Sequence, residues 1–284
     1  MYNIALCFYG EPRNVGESVA TLSKFNRLSR EMFNIDVYLH LWDNTTRRFD
    51  TLDPTYEKHF LNLIKENKNL DQKFVIESNL QHEELLKSLN PVNYKIENKS
   101  VLDQYIDKFN PNNRFMSCEE IKRAVKYSNT PSFSQLYTMS QCFNIIEDKE
   151  KYDLVIIIKI DYGIYDESIT NKILKQYCKK IERHKNYLFV EGLCLRCRKK
   201  EIWIHHGYMM AFPTQFEKLF NDFPKIPIGM GIWTDKQPHY KWKGHNHAEF
   251  GNYIMNCSDI NRVEPIGSQF TGKLKQFPKE ILFK

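Results

Sequence analysis

Nowhere in the 284 residues do about 18 apolar residues follow one another, the length a helix needs to cross a bilayer. The first residues also lack a basic leader, an apolar core and a small-residue cleavage site, so no signal peptide is expected. Any membrane association would then be peripheral. No glycine-rich phosphate loop with a following Lys or Arg is present, which argues against a nucleotidyltransferase. The seven cysteines, Cys7, Cys118, Cys142, Cys178, Cys194, Cys197 and Cys257, are odd in number and scattered. They form no disulfide framework and fit reduced thiols in a cytoplasmic compartment. Cys194 and Cys197 have the spacing of half a zinc site, but no second pair follows. Internal repeats and long low-complexity tracts are missing as well. The net charge of +6 suits an anionic ligand and falls well short of a nucleic-acid binder.

What is present is ample material for a core, with 42% hydrophobic and 14% aromatic residues. The length fits one α/β domain with two lobes, spanning 1–284. Residues 2–9 (YNIALCFY) form a nearly unbroken apolar run ended by Gly10, which predicts a buried strand and a turn. Val19, Leu22, Phe25, Leu28 and Met32 recur at helical spacing over 15–33, and 35–41 (IDVYLHL) reads as a second strand. Strand, helix, strand within about 40 residues is a βαβ unit, whose ligands bind at the carboxyl ends of the strands. Helices are expected over 55–70 and 80–89, with a short strand at 74–76. The Asn- and Lys-rich stretch 90–131 reads as a connection holding short helical pieces.

A helix capped by Ser132 or Ser134 is predicted to run to about 146, since Leu136, Met139, Phe143 and Ile146 share a face. The β-branched run 152–160 (YDLVIIIKI) is the most strand-like of all, long enough to be central, and it delivers Asp161. A helix over 168–184, strands at 187–193 and 201–212, and helices over 214–221 and 246–256 should follow. The last residues read as a loosely packed tail.

A carboxylate at the exit of a buried central strand is costly to desolvate, so it belongs at the rim. There it can ligate Mg²⁺ or Mn²⁺, or it can cap the Asp-Tyr-Gly turn; position alone leaves these even. Gly163 stands where the second acid of an Asp-x-Asp pair would be.

The segments IALCFYGEPRNV (4–15), DVYLHLWD (36–43), SQLYTMSQC (134–142), YDLVIIIKIDY (152–162) and HAEFGNYI (247–254) resemble, in order and spacing, a family of glycosyltransferases. Its members occur in bacterial polysaccharide clusters and large DNA viruses. The resemblance implies a GT-A-like mixed central sheet with flanking helices. The donor nucleotide would lie on 1–165 and the acceptor on 166–284. It further implies metal-dependent transfer of a hexosyl or N-acetylhexosaminyl group from a nucleotide diphosphate sugar, with UDP the expected nucleotide. The acceptor would be a glycan or another hydroxyl compound, and the compartment the cytoplasm, of the host if the chain is viral. The family's strand ends in Arg-x-Arg-x-Asp, whereas Ile157 and Lys159 stand here, and its later Asp-Gln pair is replaced by His205 and His206.

Carried over residue by residue, Tyr9, Gly10, Pro12 and Arg13 would form the nucleotide-side loop, with Arg13 meeting a phosphate or the base. Asp43 would accept from a uracil or ribose. Gln135, Tyr137 and Lys159 would line the donor site, and Asp161 would hold the cation, with His245 completing its shell. Glu249 and His247 are the candidates to take the acceptor proton. A solvated or capping role stands beside each assignment. The basic run Arg196, Arg198, Lys199 and Lys200 reads as a hairpin tip or a contact for an anionic acceptor. Aromatics at 233–242 could stack on sugar rings or pack as an ordinary loop. The rival reading from another class is a binding module of the same fold that has lost its chemistry.

Overall fold

The computed structural model describes residues 1–10, 24, 28, 31–43, 82–98, 100–102, 131–160, 162–163, 167–196, 201–220, 254, 260, 262–266 and 272–273. The predicted helix over 55–70 and strand at 74–76 lie outside them, as do nearly all of 15–33 and 246–256.

Strand β1 (Tyr2–Gly10) is apolar on both sides because both sides are covered: Ile4 through Tyr9 are buried without a break. It lies between β2 (Phe33–Asp43) and β4 (Leu154–Lys159), parallel to both. The chain turns at 31–32 and β2 begins at Phe33, two residues before the predicted strand and inside the predicted helix.

The seven-stranded sheet has the order β3-β2-β1-β4-β7-β6-β8. β3 (Asn93–Asn98) adds to β2 in parallel, β6 (Tyr187–Arg196) and β7 (Glu201–Ala211) form an antiparallel hairpin on β4, and β8 (Arg262–Pro265) runs parallel to β6. The sheet is therefore mixed, and the expected α/β class holds. A second, two-stranded ladder joins β5 (Tyr162–Gly163) to β9 (Gly272–Lys273).

Two expectations are corrected. The connection read over 90–131 contains β3, a strand hidden by its composition: the half-buried positions of NYKIEN are the polar Asn93, Lys95, Glu97 and Asn98, while Tyr94 and Ile96 are exposed. The tail read as loosely packed contributes β8 and β9. β8 is tied to the helix over 167–183 by Lys180, which pairs with Glu264.

Helices cover both faces. On one, α2 (Pro131–Asn144) and α4 (Pro213–Phe220) bury Leu136, Met139, Phe143, Phe216 and Leu219 against Ala5, Cys7, Val155 and Ile157. Each begins with proline, whose fixed φ suits a first helical turn. On the other face, α1 (82–89) and α3 (Glu167–Arg183) bury Leu85, Leu89, Leu174, Cys178 and Ile181 against Ile4, Leu6, Ile156 and Ile158. The alternation of β1 and β4 between the two clusters is the period of two that a strand imposes.

At the amino edge, the hydroxyls of Tyr38 and Tyr152 share a 2.6 Å hydrogen bond, and Tyr152 donates to Asp36 at 2.7 Å. Lys151 closes the group at 2.9 Å from Asp36. This network ties β2 to the start of β4 and leaves the opposite edge for other work.

Candidate functional site

Strand order reverses at β1: the chain goes from β1 outward through β2 to β3, then returns to place β4 on the other side of β1. A crevice opens at such a switch, outside the carboxyl ends of the two strands. Registers put Tyr9 opposite Lys159 and Gly10 opposite Leu41, so β1, β2 and β4 end at one level. α2 runs against these strands. Its last turn meets the start of β3, where the Asn93 amide donates to the Ile145 carbonyl, and its early turns meet the end of β3, where Tyr137 donates to Glu97. The positive end of the helix dipole therefore faces the crevice edge.

Gly10 has φ of +112°, a conformation L side chains rarely adopt. Space is not the reason, since an added Cβ would meet only Ile160 Cγ2 at 3.8 Å and Lys159 Cγ at 3.9 Å. The backbone turn requires glycine, and Gly10→Ala is expected to cost about 1–3 kcal/mol in chemical denaturation. A loss below the measurement error would contradict that. Just beyond, the Ile160 N–H donates to the Tyr9 carbonyl at 2.8 Å and holds the two strand ends together.

Beneath the edge lies a cluster that the sequence did not announce. His40, wholly buried on β2, faces Glu97 of β3, with Nε2 2.8 Å from Oε2. Tyr137 donates its hydroxyl to the same oxygen at 3.0 Å, and the Lys95 ammonium stands 2.6 Å from Oε1. Trp42 stacks on Tyr137 with ring centroids 5.6 Å apart, and His40 meets both rings edge-on. His82 of α1 pins the end of β2 from the other side, its Nε2 3.1 Å from the Trp42 carbonyl.

Burial alone would raise the Glu97 carboxyl, but hydrogen bonds from His40, Lys95 and Tyr137 outweigh it and hold the pKa down to about 2. Burial pushes His40 and His82 below the usual imidazole value, only partly opposed by Glu97 and by the Trp42 carbonyl. His40 is therefore neutral at pH 7 and carries its proton on Nε2, the tautomer assigned from its bond to Glu97. Among the described residues its Nδ1 has no hydrogen-bond partner.

These shifts act on stability in one direction. Glu97 has a depressed folded pKa, so its contribution is complete above the ordinary value of 4.5 and is lost as pH falls toward 2. His40 and His82 must gain protons on unfolding below 6.5, so each also stabilises less as pH falls beneath that value. Unfolding free energy is expected to decline continuously from pH 6.5 downward, more shallowly below pH 4.5 in Glu97→Gln. A flat profile between pH 6.5 and 3 in denaturant titrations would contradict this.

Of the residues predicted for the site, Tyr9, Gly10, Asp43, Gln135, Tyr137 and Lys159 are described. All belong to β1, β2, β4 or α2. Tyr9 and Tyr137 are buried and stand under the edge, while Asp43, Gln135 and Lys159 are half-buried. Pro12, Arg13, Asp161, His245, His247 and Glu249 lie outside the described residues. Among the described residues no group of three or more His, Cys, Asp or Glu could hold a metal ion, and Glu97 is already committed to three donors. No described helix is long and apolar enough to cross a membrane.

The fold superposes in part on the apo crystal structure of mouse xyloside xylosyltransferase 1, with a TM-score of 0.43 and 11% sequence identity, covering 89% of this chain and 81% of that one. At that TM-score the likeness carries no argument about chemistry. No protein-family model matches the chain, and no curated protein matches it.

Proposed function

We propose that the chain is a GT-A-like glycosyltransferase that binds a nucleoside diphosphate sugar, with UDP the expected nucleotide, between the carboxyl ends of β1 and β4. The observation that carries the reading is the reversal of strand order at β1 with a positive-φ glycine at its end. Gly10 lets backbone approach the diphosphate, and the Lys159 stem beside it brings a cation to the same place. Residues 1–165 would carry the donor and 166–284 the acceptor, a glycan or other hydroxyl compound.

In this reading Arg13 and Asp43 hold the nucleoside side of the donor, and Gln135 approaches from the start of α2, whose dipole favours the diphosphate charge. A divalent cation, where used, would be held by Asp161 and His245 and would neutralise the leaving group. The acceptor oxygen bonds to the anomeric carbon as that carbon's bond to the diphosphate breaks. In an inverting transfer the hydroxyl proton passes to Glu249 or His247, and a nucleoside diphosphate leaves. Positioning and charge complementarity supply most of the acceleration.

The test is a panel of nucleoside diphosphate sugars, each with and without Mn²⁺ or Mg²⁺, scored for released nucleoside diphosphate. Turnover of a UDP-sugar is expected. Saturable binding with no turnover on any donor would replace this proposal with the binding module.

A further inference from the structure

The β6–β7 hairpin is irregular at one place. Val190 pairs with Met209 and Gly192 with His205, so the single residue Glu191 faces three residues, 206–208, of the partner strand. A bulge of this kind removes ladder partners and re-aims side chains. Here the Gly207 N–H donates to the Glu191 carboxylate, Oε2, at 3.1 Å. The Tyr162 hydroxyl donates to the same oxygen at 3.4 Å.

Gly207 leaves room for this. A Cβ there would stand 2.5 Å from Tyr162 Cε1 and closer still to Cζ, so the ring occupies the volume any other residue would need. Tyr208 flanks the ring edge-on, with centroids 6.3 Å apart. Bulge, glycine and carboxylate together make a socket for one side chain. That side chain belongs to β5, the two residues that leave the central strand β4 past Ile160 and are paired on their other side by β9.

The structure assigns Glu191 and Gly207, we infer, as positioning residues that fix the carboxyl end of β4 at the crevice. Each acts through Tyr162, the residue next to Asp161 in sequence. Ile160, on the other side, is fixed by its bond to Tyr9. Both chain neighbours of that carboxylate are thus held by the fold. The inference rests on the proposed function only for what the held strand end is used for.

The experiment compares Glu191→Gln, Gly207→Ala and Tyr162→Phe with the unaltered chain, by hydrogen exchange over 158–163 without ligand and by UDP affinity. Faster exchange confined to that segment is expected in all three. UDP binding should weaken roughly tenfold in Gly207→Ala, within the usual range of coupling between two places in a fold, and less in the two milder variants. In a Tyr162→Ala background the Gly207→Ala change should add nothing, since its clash partner is gone. Unchanged exchange, a Gly207→Ala effect that persists without the Tyr162 ring, or UDP affinity unaltered in Gly207→Ala would each overturn the inference. The unaltered chain separates the two ideas: if it neither binds UDP nor turns over any donor, the proposed function fails, whereas the exchange result decides the socket by itself.

Discussion

Donor turnover is expected to fall at least about 100-fold when Asp161 is replaced by alanine, the scale on which a single charge-positioning group acts. Three features set that expectation. The residue follows Ile160 in sequence, and residues 154–158 of β4 are wholly buried, so the chain just before it belongs to a rigid element. Ile160 is bonded to β1 and Tyr162 is seated in the β6–β7 bulge, so the neighbours on both sides are fixed. The same sheet edge carries Gly10 and Lys159, the groups proposed to meet the diphosphate. A residue placed for chemistry rather than packing should affect stability by no more than about 0.5 kcal/mol. The expected signature is therefore lost turnover with Tm nearly unchanged. Turnover within threefold of the unaltered chain would contradict the role given to Asp161.

The opposite signature is expected at Glu97. Glu97→Ala takes the acceptor from the Nε2–H of a fully buried His40, removes one hydrogen bond of Tyr137, and releases the Lys95 ammonium. Each buried donor left without its acceptor costs about 1–3 kcal/mol. Lys95 is 42% exposed, so its ion pair adds little and the total is about 3 kcal/mol. Tm should drop by roughly 6–12 °C, at about 2–4 °C per kcal/mol for a chain of this size. Glu97→Gln keeps one acceptor and should lose less. A Tm change under 2 °C for the alanine variant would mean that this cluster does not support the edge above it.

The parts of the fold that were legible in the sequence are those where one physical signal dominates. β1 and β4 are buried on both faces and read as unbroken apolar runs, and α2 and α3 carry a single apolar stripe at helical spacing. From these the parallel first strands and the central strand follow; Gly10 was read from the turn that ends the first run, and Lys159 only from the family resemblance. β3 did not, because its half-buried side is made of the same Asn, Lys and Glu that make loops and its two apolar residues are exposed. Missing β3 meant missing Glu97, whose partner His40 lies 57 residues away in sequence. A signal was present at the other end: a histidine inside the apolar run of β2 must find a buried partner, and that requirement predicts an acid across from it. The socket of Glu191, Gly207 and Tyr162 had no such signal, since a bulge is defined by the register between two strands. Neither strand's pattern records it.

The most direct measurement is the hydrogen-exchange footprint of UDP on the intact chain. Protection is expected at 8–10 and 157–163, where β1 and β4 end. Protection confined to the β6–β7 hairpin or to β8, with exchange at those two strand ends unchanged, would contradict a donor site at the crevice.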